Sequence, residues 1–125
     1  MRLLLDTNVA LWLLLGDRES VSSDAVAALE DEHNTVSLSA ASVWEIAIKR
    51  SLGKVTLPEG WAVALGRLGF DAMPVNALHA EAVEHLPWHH RDPFDRLLIA
   101  QAQVERRALV SADRRLDAYA VDVLW

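Results

Sequence analysis

RLLLDTNVALWLLL, residues 2–15, is the stretch that decides the architecture. Its opening RLLL (2–5) is a short apolar run halted by an acid, as a buried strand is, and TNVALWLLL (7–15) reads as a helix. The remainder of the chain continues this alternation. SSDAVAALEDEHN (22–34) is an amphipathic helix with a serine cap, and TVSL (35–38) is the next strand. AASVWEIAIKRSLG (40–53) and EGWAVALGRLG (59–69) are helices that close on glycine, followed by an extended FDAMPV (70–75). NALHAEAVEHL (76–86) is helical, and PFDRLLIAQAQVERR (93–107) is a longer helix with proline at its first position. ALVSA (108–112) and AVDVLW (120–125) complete the strands. Strands that alternate with helices imply an α/β fold, here an α/β/α sandwich around a central parallel sheet of four to five strands.

Nothing divides the chain: there is no repeat, low-complexity tract or Pro/Gly/Ser-rich linker, so residues 1–125 are expected to form one domain. That length buries roughly two-thirds of the unfolded surface. Hydrophobic residues make up 52% of the sequence, above the ~45–50% of ordinary soluble domains, so some apolar surface is expected to meet a partner. No uncharged run approaches the ~18 apolar residues of a membrane helix. The first helix region is broken by Asp6 and Asn8 and has no small-x-small cleavage site, which predicts a cytoplasmic protein. Without cysteine, any metal must be held by Asp, Glu or His. The net charge of −6 argues against a general phosphate-binding surface.

Four acids stand out. Asp6 follows the first strand and Asp113 follows ALVSA, which places both at the carboxyl edge of the sheet, where α/β proteins bind ligands. Each also suits a capping role, Asp6 for the helix from Thr7 and Asp113 for the turn RRLDAY. Glu45 completes a capping-box pattern with Ser42 and also stands one turn before Lys49. Ser39 is an equally good cap, and its use would leave Glu45 inside the helix. Asp95 is three residues beyond Asp92. Asp92 precedes Pro93 and is the natural N-cap, whereas Asp95 leads the inward stripe of Leu98, Ile99 and Ala102. A buried carboxylate costs several kcal/mol unless donors or a cation meet it, against about 0.3–1 kcal/mol from the helix dipole.

Carboxylates gathered in one crevice repel one another and raise each other's pKa. An all-oxygen donor set suits Mg²⁺, with Mn²⁺ as a substitute. The acidity is then local: of 18 acids, 14 remain outside this set against 12 bases.

LLLDTN (3–8), the S-x-x-E of Ser42–Glu45, DPFDRLLIAQA (92–102) and LVSAD (109–113) together resemble the PIN-domain ribonucleases, and within them the VapC-type toxins of bacterial toxin–antitoxin pairs. The resemblance spans essentially the whole chain. It implies that Asp6, Glu45, Asp95 and Asp113 are the catalytic, metal-binding acids, with Thr7, Asn8 and Ser111 in support. It also implies metal-dependent endoribonuclease activity that leaves 5′-phosphate and 3′-hydroxyl ends. The implied partners are an RNA substrate, a small antitoxin and a second copy of the chain. The antitoxin would lay an apolar segment on the helices at 7–15 and 40–53. Lys49, Arg91 and Arg96 are near the motifs and are candidate RNA contacts, although Arg96 equally suits a surface pair with Asp92. His89 and His90 read as loop residues. The tryptophans at 12, 44, 61, 88 and 125 read as packing, with Trp88 beside the site the one candidate for base stacking.

Two enzyme-like alternatives lose on the tripeptide D-T-N. A receiver-like phospho-acceptor domain needs adjacent acids after its first strand, and a haloacid-type phosphatase needs D-x-D, where position 8 is Asn. A catalytically silent protein-binding module on the same fold remains the alternative of another class.

Overall fold

The computed structural model describes residues 1–125. Five strands, β1 (Arg2–Leu5), β2 (Thr35–Ser39), β3 (Asp71–Met73), β4 (Ala108–Val110) and β5 (Val123–Leu124), form one parallel sheet in the order β3-β2-β1-β4-β5. Strand order reverses beside β1: the chain builds outward to β3, then crosses back to pair β4 with β1. The crevice beyond the carboxyl ends of β1 and β4 is therefore the ligand-binding position of such a sheet. The helices are α1 (Thr7–Leu14), α2 (Ser23–Glu30), α3 (Ala40–Ser51), α4 (Trp61–Gly66), α5 (Ala77–Ala82) and α6 (Pro93–Glu105).

Alternation along β1 divides the core in two. Leu3 and Leu5 face one cluster with Val9 and Ala10 of α1, Ala25 of α2, Ile46 of α3 and Leu65 of α4. Leu4 faces the other with Leu98, Ile99 and Ala102 of α6, Leu109 and Tyr119. Helices thus cover both faces, and the run LLL reads as continuous because β1 is buried on each side.

All eleven expected elements form, most of them shorter than their apolar patterns. The second helix stops at Glu30 because Asp31 is extended and folds its own turn, accepting the N–H of His33, while Asn34 reaches back to the Ala28 carbonyl. Between the left-handed glycines Gly60 and Gly69, α4 keeps only six residues. Three 3₁₀ turns, Arg18–Ser20, Val83–His85 and Arg114–Ala118, carry no distinct periodic signal. No helix is long and apolar enough to cross a membrane.

Ile99 ties α6 to the sheet and is fully buried against this second cluster. Ile99→Ala is expected to cost about 2–5 kcal/mol and to lower Tm by roughly ten degrees in thermal denaturation. A loss below about 1 kcal/mol would show that α6 closes over the gap.

Candidate active site at the carboxyl edge of the sheet

Asp6 continues β1 by one residue: its N–H donates to the Val110 carbonyl at 3.0 Å, so the β1–β4 ladder holds its backbone. The buried carboxylate accepts the Asn8 N–H at 3.1 Å and the Ser111 hydroxyl. Asp6 is thus the N-cap of α1 and a member of the crevice at once, so capping and site duty do not compete. Burial pushes its pKa above the usual carboxylate range, and the charges of Glu45 and Asp113 add to this; the Ser111 and Asn8 bonds oppose it.

Glu45 is buried in the second turn of α3. Ser39, not Ser42, caps that helix by accepting the Ala41 N–H, which releases Glu45 from capping. Its Oε2 lies 2.9 Å from Lys49 Nζ, and its Oε1 is buried without a hydrogen-bond partner. Ser42 instead accepts the Thr7 hydroxyl at 2.9 Å and pins α1 to α3 beneath the crevice.

Asp92 and Asp95 divide as their spacing predicts. The Asp92 carboxylate accepts the N–H groups of Phe94 at 2.8 Å and Asp95 at 3.1 Å. Asp95 points inward, and its pKa is pushed up to about 7 by burial first, then by the charges of Asp6, Asp92, Glu45 and Asp113. Asp113 caps the last 3₁₀ turn by accepting the Arg115 N–H at 3.0 Å. The Arg115 guanidinium also donates to both Asp113 carboxylate oxygens, and this holds the Asp113 pKa below the usual range. The sequence gives no direct signal for that clamp beyond an Arg two residues on.

His90 is the residue that sequence reasoning missed. It lies in a loop as expected but is buried there, and its Nε2 lies 2.8 Å from Asp95 Oδ2 and 3.6 Å from Asp113 Oδ2. His90, Asp95 and Asp113 each offer a ligating atom, and these atoms lie within 4.8 Å of one another. Asp6 and Glu45 stand outside that tight triad but couple to it through their charges. Arg96 is a second correction. It is 2% exposed and makes neither a surface pair with Asp92 nor a free contact for RNA. Its guanidinium donates to the carbonyls of Val83, Leu86, Pro87 and His90 and stacks 3.7 Å from the Trp88 ring centroid. Four carbonyls converge on one point, and the planar guanidinium meets them with two N–H groups from each Nη nitrogen. Arg91 remains exposed beside the site, as does one edge of Lys49. Of the supporting residues, Thr7 and Ser111 act through their hydroxyls, whereas Asn8 acts through its backbone N–H.

The fold and crevice define a parallel α/β protein with a carboxylate cluster at its strand-order reversal. Residues 3–122 match the PIN domain, and the chain belongs to that family. Among solved structures it is similar to VapBC2 from Rickettsia felis bound to a DNA fragment from their promoter, with 15% identity, a TM-score of 0.74, and 98% of this chain and 97% of that one covered. It is also similar to FitAcB from Neisseria gonorrhoeae, with 20% identity, a TM-score of 0.58, and coverage of 97% and 95%. Both likenesses are of fold. No curated protein is a significant match.

The raised pKa of Asp95 sets a sign for stability. Between about pH 4 and 7 the metal-free folded state retains a proton that the unfolded aspartate has released, so stability falls as pH rises through that window. The penalty is complete above pH 7 and is on the order of a few kcal/mol at most. Asp95→Asn is expected to remove this slope and to be more stable than the parent at pH 8. Asp92→Ala is expected to lose about 0.5–2 kcal/mol at both ends of the window, as a lost cap does. Urea unfolding at pH 5 and pH 8 measures both; a pH-independent difference between parent and Asp95→Asn would overturn the assignment.

Proposed function

We propose that this chain is a metal-dependent endoribonuclease acting as the toxin of a toxin–antitoxin pair. Its membership of the PIN family supports a nuclease. The observation that carries the reading is the state of the acids: Asp95 is desolvated among four other carboxylates, and Glu45 Oε1 is buried with no partner. Such a set is unfavourable alone and fits a hard divalent cation with oxygen ligands, Mg²⁺ or Mn²⁺. Asp6, Glu45, Asp95 and Asp113 are the residues that would hold it. When bound, the ion supplies Lewis acidity toward a phosphate oxygen and an activated water for in-line displacement.

The chain's own residues prepare that chemistry. Ser111 and the Asn8 N–H orient the Asp6 carboxylate, and Arg115 fixes that of Asp113. Lys49 pairs with Glu45 and, with the exposed Arg91, offers positive charge to an RNA backbone whose phosphates the crevice acids alone would repel. With Mn²⁺ at a hundredfold excess over Kd, linkage adds about 2.7 kcal/mol to stability. Incubated with a mixed RNA pool, the purified chain is expected to cleave only with Mg²⁺ or Mn²⁺, and Asp6→Asn and Asp95→Asn to lose cleavage while remaining folded. Metal-independent cleavage would overturn the metal reading; no cleavage in the parent would overturn the enzyme reading and leave the silent binding module.

The partner in this reading is a small antitoxin, with the toxin itself a homodimer in the cytoplasm. The solved VapBC2 and FitAcB structures, which this chain's fold resembles, support such a partner. So does the surface, with α3 as expected but α4 in place of the helix at 7–15, whose Leu11, Trp12, Leu13 and Leu14 pack on the core: Trp44, Leu52 and Val63 are exposed, and a groove of about 580 Å³ between α3 and α4 is lined by Val43, Trp44, Leu65, Phe70 and Met73. A partner segment there would be apolar, with a basic side chain to meet the acids beyond Trp44. Co-expression with its neighbour-encoded small protein is expected to give a stable complex that Trp44→Asp weakens at least tenfold, as loss of an aromatic anchor does. A chain that is monomeric in sizing at micromolar concentration and captures no such neighbour would overturn this part.

A further inference from the structure

We propose that His90 is the positioning residue that holds Asp95 and Asp113 together, by presenting one ring N–H between their carboxylates. The inference rests on the metal-site reading above. His90 comes from the loop before α6, Asp95 from the first turn of α6 and Asp113 from the turn after β4, and His90 is the side chain that touches both acids.

Every other polar atom of His90 is already committed. Its backbone N–H donates to the Tyr119 hydroxyl at 2.8 Å, and its carbonyl accepts from Arg96 Nη1 at 3.3 Å. Its Nδ1 accepts the Asp92 N–H at 3.1 Å. A ring nitrogen that accepts from a backbone amide carries no hydrogen, so the hydrogen-bond network places the ring hydrogen on Nε2. That nitrogen is buried, 2.8 Å from Asp95 Oδ2. The contact lies off the ring N–H direction, so it is a close approach and not a formed hydrogen bond, and Nε2 is left as a buried donor facing two carboxylates. In the proposed role the Asp95 carboxylate, the nearer of the two, turns to accept it. A nitrogen that bears hydrogen has no lone pair for a cation, so His90 is excluded as a ligand although it stands within the triad. Its effect is to bring two like-charged side chains from separate elements to one point and to orient them, the role that hydrogen-bonded neighbours of metal ligands play.

The N–H of Asp92 is what fixes the ring, so one residue of the α6 cap has two outputs. Its side chain starts the helix, and its backbone amide selects which His90 nitrogen faces the acids.

Two substitutions separate this role from simple loop packing. Asn at position 90 keeps an acceptor for the Asp92 amide but ends short of the carboxylates; Gln reaches them with an amide N–H. With Mn²⁺ alone as the probe in calorimetry, His90→Asn is expected to weaken binding roughly 10- to 100-fold, and His90→Gln to recover most of that loss. The opposite order, with His90→Asn near the parent and His90→Gln severely impaired, would show a role through Nδ1 only and overturn the proposal. Asp95→Asn serves as the control. If the parent binds no Mn²⁺, or binds it as Asp95→Asn does, the metal reading itself fails. If the parent binds, Asp95→Asn does not, and His90→Asn binds like the parent, the site stands and the positioning role is wrong. Long-range ¹H–¹⁵N spectra of the metal-free parent decide independently of any variant's folding: the expected pattern has the hydrogen on Nε2, and a hydrogen on Nδ1 overturns the inference.

Discussion

The pairing of β1 with β4 is the constraint on which the crevice depends. Leu5 stands opposite Val110, and the ladder runs one residue further through the Asp6 N–H to the Val110 carbonyl. Past the strands the Ser111 hydroxyl closes on the Asp6 carboxylate and accepts the Asp113 N–H at 3.1 Å. Both strands are buried on two faces, with Leu3, Leu4, Leu5, Leu109 and Val110 fully enclosed. A one-residue slip would exchange the sides of Leu4 and Leu5, each shaped to a different cluster, so the register is strongly specified. The placement of Asp6 relative to Asp113 is thus a product of hydrophobic packing. The polar site inherits its geometry from the core.

Given that placement, each acid has its own compensation except one. Asp6 has Ser111 and the Asn8 N–H, Asp92 has two amides at the head of α6, Asp113 has Arg115, and half of Glu45 has Lys49. Asp95 sits at the third position of α6, where the helix dipole offers about 0.3–1 kcal/mol, far less than the desolvation and repulsion that raise its pKa to about 7. The electrostatic penalty is thus largest at Asp95, with a smaller share left on Asp6, whose pKa is also raised, and on the unpartnered Glu45 Oε1. Groups whose pKa is strongly perturbed by burial and by neighbouring charge cluster at functional sites, and in the function proposed above Asp95 is the acid that a bound cation would relieve.

The sequence made the strands, helices and acids legible because each leaves a mark of spacing. RLLL is short and bounded, α6 has an apolar stripe headed by Asp95, and Asp92 is fixed as a cap by Pro93. What stayed hidden were the polar residues whose partners are backbone carbonyls or amides distant in the fold. His90 has no ligand-like spacing to another histidine, and its burial comes from Tyr119 and Arg96, which periodicity does not connect. Arg96 reads as a surface cation because arginine is rarely buried, and its four carbonyl partners lie in a loop with no regular pattern. The 3₁₀ turn that lets Arg115 clamp Asp113 is equally silent, being too short to show a period.

These hidden contacts change what DPFDR means. Asp92 starts the helix and Pro93 sets its first turn, while Phe94 packs edge-on against Trp44 of α3 at 4.9 Å between ring centroids. Asp95 enters the crevice, and Arg96 turns the other way to gather the carbonyls of residues 83–90. Five consecutive residues thus face four different surroundings, which one turn of helix allows because successive side chains are about 100° apart. Arg96 fixes the loop that carries His90, and the Asp92 amide fixes the ring of His90 against Asp95. The segment closes on itself: the helix that presents the acid also builds the loop that orients it, so a change at Arg96, distant from the crevice in direction but adjacent in sequence, acts on Asp95 through His90.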